Sequence, residues 1–470
     1  MATIVEGLRQ AQPEGETLIE FAFLDWLVQQ EGERQAKYTG FRDYYDGEHL
    51  TQLTARMRKF LELRDDQEFN LNMCPIVVDA LAEKLKVANF GCEDEKQQDL
   101  FTEWWAHSRM DGQQGITHLA GVRDGDTYVM VEWDNENARP RFTHENAYDG
   151  TAGTHVVYSD EHRMIPRMAM KRWIITGGID AKTIRTNLYY PDRIEKYTDN
   201  AGGDLWQQFY DDEAPEEWPR PWVDKAGQPL GIPLVHFRNK DQGKSYGKSE
   251  LEDVLPQQNA LNKSIIDLLA AGDTTAFQIP WMTGAKPSNT TYAPGSWVYS
   301  ENPNASIGVL SGAQLDNLIT LKDSIAADIA KITRTPLSFF QLTGQVSSEG
   351  SQKEGRAGLS AKARDRMVTF GNAWEDVQHM ARKLSNAFGN TALDLTKTIT
   401  TVWEDDEKPD DTELATQVEL LNRAGAASTK TKVTILHPEW TPKEVDEEVA
   451  LIMAESGMAV PDLGSPPPVE

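Results

Sequence analysis

The chain has 470 residues and a formal net charge of −27 at pH 7, with 74 acidic against 47 basic residues. Its length allows about three domains, and its 39% hydrophobic content with 13 Trp is typical of a globular protein. Such acidity excludes ordinary high-affinity DNA binding, which needs clustered Lys and Arg. The same acidity does not exclude contact with DNA in passing, because an acidic surface repels phosphate and does not hold a duplex. The alternative is that the acid only keeps a large assembly soluble.

The sequence carries no pattern typical of membrane insertion or secretion. No apolar run approaches the roughly 18 residues of a transmembrane helix, so we expect no membrane association. The N-terminal residues lack the basic start and apolar stretch of a signal peptide. We therefore expect Cys74 and Cys92 to be reduced, buried hydrophobes and not a disulfide.

The first part of the chain, residues 17–123, is predicted to be mostly helical. Apolar residues recur at helical spacing over residues 18–28, 50–63 and 75–87. Pro75 suits the first turn of a helix, where its missing N–H costs nothing.

Between about residue 124 and residue 240 the hydrophobic period changes to two, which predicts a meander of short antiparallel strands. Its Trp and Tyr side chains are expected to pack on the sheet. The predicted strands cover residues 127–133, 154–158, 167–176, 183–190, 193–197, 205–210 and 232–237.

A long helix is predicted over residues 249–271. Ser249 and Glu252 have the spacing of a capping box, and the apolar residues that follow form one stripe. About 22 residues of helix would span roughly 33 Å, so the segment is expected to be a strut. A polar edge opposite the stripe contains Glu252, Asn259, Lys263 and Asp267.

A short β region follows over residues 277–310, in which residues 296–299 and 306–310 are predicted to pair as strands. Prolines punctuate this region. A second long helix is predicted over residues 313–333, and Pro336 ends it because the residue before a proline is disfavoured in a helix.

The next segment, residues 341–352, is small and polar and is predicted to be a flexible loop. It leads into the clearest helix of the chain, with apolar residues from Leu359 to Phe388 and Gly389 as the C-terminal cap. This helix carries an excess of positive charge after the loop, which suggests occasional phosphate contact; salt bridges to acidic neighbouring subunits are the alternative. The candidate phosphate contacts are Arg356, Lys362, Arg364 and Arg366.

The C-terminal part begins with a predicted strand over residues 397–403, expected to return to the earlier sheet. Helices are predicted over residues 412–422, 429–436 and 441–455. Thr441 and Glu444 have capping-box spacing, with Pro442 in the first turn.

No catalytic or cofactor-binding motif is present in the sequence. A phosphate-binding glycine loop, HExxH and CxxC are all missing, and the nine His are scattered without metal-ligand spacing. Two acidic clusters, residues 211–217 and 404–413, are expected to be solvated loops. We therefore predict no catalysis, no metal and no cofactor. The alternative is a metal-dependent nuclease that uses Glu404, Asp405 and Asp406.

The order and spacing of several motifs resemble the portal proteins of tailed, siphovirus-type bacteriophages over nearly the whole chain. The first motif is RDYYDGEH at residues 42–49. The others cover residues 70–90, 231–240, 243–284 and 333–340.

The resemblance implies an α+β portal-type fold. Its expected parts are a mixed helical and antiparallel-β wing (residues 1–240), a first stem helix (241–272), a small β clip (273–312), a second stem helix (313–335), a tunnel loop (336–352), a long helix with a return strand to the wing (353–405), a helical crown (406–460) and a disordered tail (461–470).

The resemblance also implies function: a dodecameric ring at one capsid vertex of the virion, assembled in the host cytoplasm, through which double-stranded DNA passes during packaging and ejection. Implied partners are the large terminase subunit, a head-completion or adaptor protein, and the major capsid and scaffold proteins. Since packaging needs an ATPase and this chain has no nucleotide loop, the motor would be another protein. The remaining alternative is a generic virion adaptor.

Two sets of site residues follow from the resemblance. The tunnel loop, which would project toward DNA, contains Gly344, Gln345, Ser347, Ser348 and Glu349; an ordinary surface connector is the alternative. The stem residues that would face the channel or a neighbouring subunit are Asn259, Lys263, Asp267, Asp316, Asp323 and Lys331.

Overall fold

The computed structural model describes residues 16–49, 70–159, 161, 165–177, 183–199, 206–210, 218–276, 280–284, 302–309, 314–340, 349–404, 411–436 and 442–455. The chain divides into two compact units, residues 1–404 and 405–470. None of the helices in the described ranges is long and apolar enough to cross a membrane.

The first unit mixes helices with antiparallel sheets. Its helices are α1 (Glu16–Asp46), α2 (Cys74–Ala82), α3 (Glu95–His107), α4 (Met110–Asp124), α5 (Leu255–Ala276), α6 (Leu315–Thr333) and α7 (Glu349–Phe388). Its strands are β1 (Val87–Cys92), β2 (Asp126–Asp134), β3 (Arg139–Asn146), β4 (Thr154–Tyr158), β5 (Pro166–Ile174), β6 (Ile184–Tyr189), β7 (Arg193–Asp199), β8 (Trp206–Gln208), β9 (Arg220–Pro221), β10 (Leu234–Arg238), β11 (Pro280–Thr283), β12 (Ser306–Val309) and β13 (Ile399–Trp403).

The predicted meander is divided between two sheets. Strands β10, β2 and β3 form one sheet, and β4 to β8 form the other, with β9 paired to β7. Each predicted segment contains a strand, but β3 was missed. Its sequence, RPRFTHEN, places one large apolar residue, Phe142, on the inner face among polar neighbours, so its hydrophobic alternation is weak.

The prediction that residues 397–403 return to the meander is wrong. Strand β13 pairs with β1 in a separate two-stranded sheet, with Phe90 opposite Thr401. The helical prediction for the end of the 75–87 segment also fails, because α2 ends at Ala82 and Val87 already belongs to β1. Val87 and Phe90 are both buried. Val87, the last apolar residue of the predicted helix, is therefore packed into the core from a strand. The predicted helix over residues 50–63 lies outside the described residues.

The first long helix starts later than its predicted capping box. Helix α5 begins at Leu255. The hydroxyl of Ser249 accepts the N–H of Leu251 at 3.0 Å and donates to the carbonyl of Arg123, so it joins two segments instead of capping a helix. The second long helix, α6, agrees with the prediction to within two residues at its start and ends at Thr333 as expected.

The small β region between these helices contains the predicted strand at residues 306–309 and a strand pair that was not predicted. Strand β12 pairs with β11, Met282 lying opposite Ile307; residues 296–299 are outside the described part of the chain. Helix α7 begins at Glu349, so the last four residues of the predicted loop are helical.

The second unit contains helices α8 (Asp411–Ala424), α9 (Thr429–Leu436) and α10 (Pro442–Glu455). Pro442 opens α10 as expected, while the predicted cap residue Thr441 lies outside the described residues. Val433 and Val445 are buried, and Lys430 contacts Asp446 at 2.6 Å.

The core of the first unit centres on the inner face of α7. The indole N–H of Trp374 donates to Nε2 of His118 at 2.9 Å, and His118 Nδ1–H donates to the carbonyl of Leu85 at 2.7 Å. Phe237 packs edge-on against Trp374 at 4.7 Å. His118 is fully buried and must be neutral to accept from the indole. Burial lowers its pKa to about 4.

The lowered pKa of His118 predicts how the stability of the folded protein changes with pH. Because the folded pKa of His118 lies below the unfolded value, its contribution to stability is complete above about pH 6.5 and is lost as the pH falls toward 4, on the order of 3 kcal/mol in all. Urea unfolding at a series of pH values measures this loss. The variant His118→Gln should be less stable at pH 7 but should lose less stability on acidification. An unchanged pH slope in that variant would contradict the assignment.

Candidate functional site

The segment that leads into α5 packs against the end of α4 through two glycines, Gly125 and Gly247, whose backbones approach each other closely. Gly125 ends α4 with a φ of +94°, and a Cβ there would lie 2.8 Å from the N atom of Ser249. A Cβ on Gly247 would lie 2.2 Å from the carbonyl oxygen of Gly125. The N–H of Gly247 donates to Asp126 at 2.7 Å. Only glycines allow this approach, which fixes the chain just before α5 against the start of β2.

A buried carboxylate lies beside this crossing. Glu250 is 2% exposed, and its two oxygens contact Lys362 Nζ at 2.7 Å, Lys240 Nζ at 3.0 Å and Arg366 Nη2 at 3.1 Å. Asn239 donates a fourth bond at 3.2 Å. We call Glu250, Lys240, Lys362 and Arg366 the Glu250 cluster.

The electrostatics of the cluster favour the charged carboxylate. Burial alone would raise the pKa of Glu250, but the cations, Lys362 foremost, outweigh it and lower the pKa to about 2. The cluster faces a cleft of about 560 Å³ that is also lined by Asp241, Arg334 and Asp365.

The cluster also holds the end of α6. Besides contacting Glu250, Lys362 donates to the carbonyl of Thr333 at 3.1 Å. A cation at a helix C-terminus compensates the partial negative charge there. Arg334 then leaves the helix in the left-handed region at φ 57°. One lysine of α7 therefore ties the end of α6 to the entrance of α5.

Two buried amide side chains of α5 face the chain's own N-terminal region over the first turns of the helix. Gln258 accepts the N–H of Met73 at 3.0 Å and donates to the carbonyl of Leu71 at 2.6 Å. One turn later, Asn262 accepts the N–H of Leu71 at 3.0 Å and contacts His49 at 3.0 Å. Both amide side chains are buried, so they fix the position of α5 along residues 70–73.

The RDYYDGEH motif takes part in the same contact between α5 and the N-terminal region. Arg42 contacts Asp124 at 3.0 Å, and Tyr44 stacks on His49 with ring centroids 4.1 Å apart. The hydroxyl of Tyr44 donates to Asn259 at 2.9 Å. Asn259, a candidate channel or inter-subunit residue, thus has a partner within its own chain.

The other stem candidates are exposed. Lys263 and Asp267 follow on α5, and Asp316 and Asp323 lie on α6. Lys331 is also exposed and contacts Asp328 at 3.3 Å. The tunnel-loop residues Gly344, Gln345, Ser347 and Ser348 lie outside the described residues, as does the side chain of Glu349 at the first position of α7.

The four candidate phosphate contacts fall into two groups. Lys362 and Arg366 are buried and bound to Glu250, so this structure assigns them to an internal ion cluster and leaves them little surface for a phosphate. The sequence analysis proposed phosphate contacts or salt bridges to neighbouring subunits for these two residues, and it did not predict a partner within the same chain. Arg356 and Arg364 are exposed on α7 and stay candidates.

One buried row of side chains resembles a catalytic arrangement. Tyr158 donates to His236 Nδ1 at 2.7 Å, and His236 Nε2–H donates to Asp126 at 2.8 Å. Burial raises the pKa of Tyr158 well above its usual range, the opposite of what an activated nucleophile needs. The row instead joins β4, β10 and β2.

The structure describes one of the three proposed nuclease acids, Glu404. Within the described ranges no three His, Cys, Asp or Glu side chains are grouped to hold a metal ion. Glu404 is exposed and lies 4.0 Å from Lys86, whereas Asp405 and Asp406 are outside the described residues.

Comparison with known proteins gives the family. The sequence model of the family described as "Phage portal protein, SPP1 Gp6-like" matches residues 24–462. The chain therefore belongs to this phage portal family. No curated protein matches it at a significant level.

Similar solved chains come from gene transfer agent (GTA) particles. A chain from the virion of the native GTA particle is 12% identical, with a TM-score of 0.42, over 77% of this chain and 89% of that chain. Chains from the neck of the empty particle, computed with C6 symmetry, and of the native particle, computed with C12 symmetry, give 14% and 13% identity over the same shares, with TM-scores of 0.42 and 0.39.

Sequence reasoning missed the buried polar residues Glu250, Gln258 and Asn262, which fix the position of the start of α5. Glu250 stands next to the predicted cap Ser249, and Gln258 and Asn262 stand beside the apolar stripe of α5. Polar residues on the inner side of a predicted strut were the available signal, because such residues need buried partners.

Replacing Glu250 tests the cluster. Glu250→Gln keeps the shape but leaves the ammonium of Lys362 buried without a counter-charge, which should cost about 3–5 kcal/mol of unfolding free energy. Urea unfolding followed by Trp fluorescence measures the loss. Asp365→Asn is the matched control: Asp365 also contacts Arg366, but its side chain is 74% exposed, and we expect a loss below about 1 kcal/mol. Equal losses would show that burial of the Glu250 charge is unimportant.

Proposed function

We propose that this protein forms a ring at one capsid vertex and serves as a conduit for double-stranded DNA during genome packaging and ejection, with no catalysis of its own. The observation that carries the proposal is the portal family match over residues 24–462. The pair of long helices α5 and α6 with a small β tip supports it further. A homododecamer is the proposed assembly.

The parts of the molecule receive roles within this proposal. Residues 1–240 form the wing, residues 241–272 and 313–335 the stem, residues 273–312 the clip, residues 336–352 the tunnel loop, residues 353–405 the long helix and return strand, residues 406–460 the crown and residues 461–470 the tail. The structure changes one detail: β13 pairs with β1, so the return strand reaches the helical side of the wing.

The exposed surface of the stem suits contact between subunits. Leu269 of α5 and Ile319, Leu321 and Ile332 of α6 are exposed apolar side chains, and burying such surface against a neighbour is favourable. We propose that Lys263, Asp267, Asp316, Asp323 and Lys331 lie at this interface or face the channel.

The charge of the chain suits transit of DNA. With a net charge of −27, a ring of this protein would repel phosphate over most of its surface, so a duplex would not be held. Arg356 and Arg364 are proposed as local phosphate contacts near the tunnel loop.

The proposed partners follow from this role. The large terminase subunit would dock during packaging and a head-completion or adaptor protein afterwards, while major capsid and scaffold proteins would surround the ring in the virion. Assembly would take place in the host cytoplasm.

Purified protein should therefore elute as a very large oligomer and show rings with a central hole in electron micrographs. The physical reason is the exposed apolar surface of α5 and α6, which a neighbour would cover. A stable monomer of 52.7 kDa at every salt concentration would contradict the ring.

Deleting residues 345–349 tests the tunnel loop. If these residues meet DNA, the variant should assemble rings of normal size but package or retain less DNA, because the contact and not the interface is removed. DNA content per particle measures the effect, and ring size in micrographs is the internal control. Full packaging by the variant would overturn the loop assignment.

A further inference from the structure

A group of buried polar side chains lies between α1 and the sheet of β4 to β8. His155 of β4 stands opposite Met170 of β5, and Arg172 follows two residues later on the same face of the sheet. Thr186 of β6 is the residue opposite Arg172. From α1, Glu31 contacts Nη1 of Arg172. We call Glu31, Arg34, His155, Arg172 and Thr186 the Arg34 cluster.

Arg34 reaches this group from the next turn of α1. Its guanidinium lies over the ring of Tyr246, with Cζ 3.7 Å from the ring centroid. The hydroxyl of Tyr246 donates to the carbonyl of Val156 at 3.2 Å, which places Arg34 next to β4. Arg34 and His155 are close enough to interact electrostatically.

Seven polar atoms of the Arg34 cluster are buried without a hydrogen-bond partner in the described parts of the chain. Folded proteins leave few such atoms unpaired, because each one costs the free energy of its desolvation. The cluster therefore indicates a ligand that bonds to several of its members at once. The seven atoms are Oε1 of Glu31, Nε and Nη1 of Arg34, both ring nitrogens of His155, Nε of Arg172 and Oγ1 of Thr186.

The mixture of donors and acceptors determines the kind of ligand. Arg34 and Arg172 can only donate, whereas the ionised carboxylate of Glu31 can only accept. Burial, and then the two guanidinium groups, lower the pKa of His155, so its ring is neutral and offers one donor and one acceptor. The guanidinium groups would repel a metal ion, and the Glu31 carboxylate would repel an anion. Water fits because it both donates and accepts.

Glu31 and Arg34 indicate where a water molecule would lie. They have opposite charges and attract each other, but the free Oε1 of Glu31 does not meet the free N–H groups of Arg34. Polar groups that are close but not in direct contact are commonly bridged by water. A buried water makes about three hydrogen bonds, so the seven free atoms would occupy about two molecules.

We propose that the Arg34 cluster encloses about two ordered water molecules, which bridge Glu31, Arg34 and His155 and join α1 to the sheet. This inference goes beyond the proposed function and does not depend on the ring. The middle of α1 would then be fixed on the sheet through water as well as through direct contacts.

An experimental density map of the full chain, at a resolution that shows ordered water, tests the site directly. We expect peaks within hydrogen-bond distance of His155, Arg34 and Oε1 of Glu31. A site without such peaks, in which Arg34 donates directly to Glu31, would overturn the inference. A bromide-specific anomalous signal at the site, in crystals soaked in sodium bromide, would overturn it in favour of an anion.

Substitutions in the purified full chain give a test by the sign of the effect. Thr186→Val and His155→Leu each remove a partner of the enclosed water, so each should lower the Tm by about 2 °C or more. In a dry cluster the same changes remove an unpaired polar group, and the Tm would stay constant or rise.

Met168→Leu is the matched control, because Met168 is buried under α1 on the same sheet and the exchange conserves volume. We expect almost no change in its Tm. A constant or higher Tm in both polar variants would contradict the enclosed water. A fall in the control as large as theirs would contradict it too, since the region would then respond to any repacking.

Discussion

The arrangement of the first unit depends on one buried carboxylate. Glu250 stands where the chain enters α5, and its cations come from β10's following turn and from α7. Taking an ion out of water costs several kcal/mol unless partners and hydrogen bonds replace the solvent. Three cations and an amide meet this requirement only when the segments meet at one geometry, because any shift would leave a charge buried without a partner. The cluster therefore selects an arrangement more than it adds stability.

Buried amides extend this selection along α5. Gln258 and Asn262 bind the backbone of Leu71 and Met73 much as a neighbouring strand would, and a slip of one turn would leave these groups unsatisfied. Beyond them, Leu261, Ile265 and Ile266 are buried, whereas Leu269 is 40% exposed. Specific polar contacts thus fix the start of α5, while its distal part exposes apolar surface that a neighbouring copy would cover in the proposed ring.

Periodicity predicted the long helices because their apolar stripes are set by local geometry. Helix α6 was predicted to within two residues, and α7 ends at Phe388 as expected but begins four residues earlier. Two of the failures share one cause, which is a partner far away in the sequence. Ser249 looked like a helix cap but its hydroxyl is used by Arg123, and β1 is a strand because it pairs with β13. Of the candidate site, the sequence located the exposed residues but could not reveal that Arg366 is bound to Glu250, 116 residues earlier.

The internal partners of Lys362 and Arg366 change how much positive charge this region exposes. The sequence shows a basic cluster after residues 341–352, which would act as a phosphate-binding patch if all four of its cations were exposed. Two of its four cations, Lys362 and Arg366, are buried and neutralise Glu250. Only Arg356 and Arg364 stay exposed among the four. Because each phosphate contact adds to affinity and to its salt dependence, burying two of the four cations would weaken any binding of phosphate in this region. If the protein is the DNA conduit proposed above, the Glu250 cluster would therefore also help a duplex to move past.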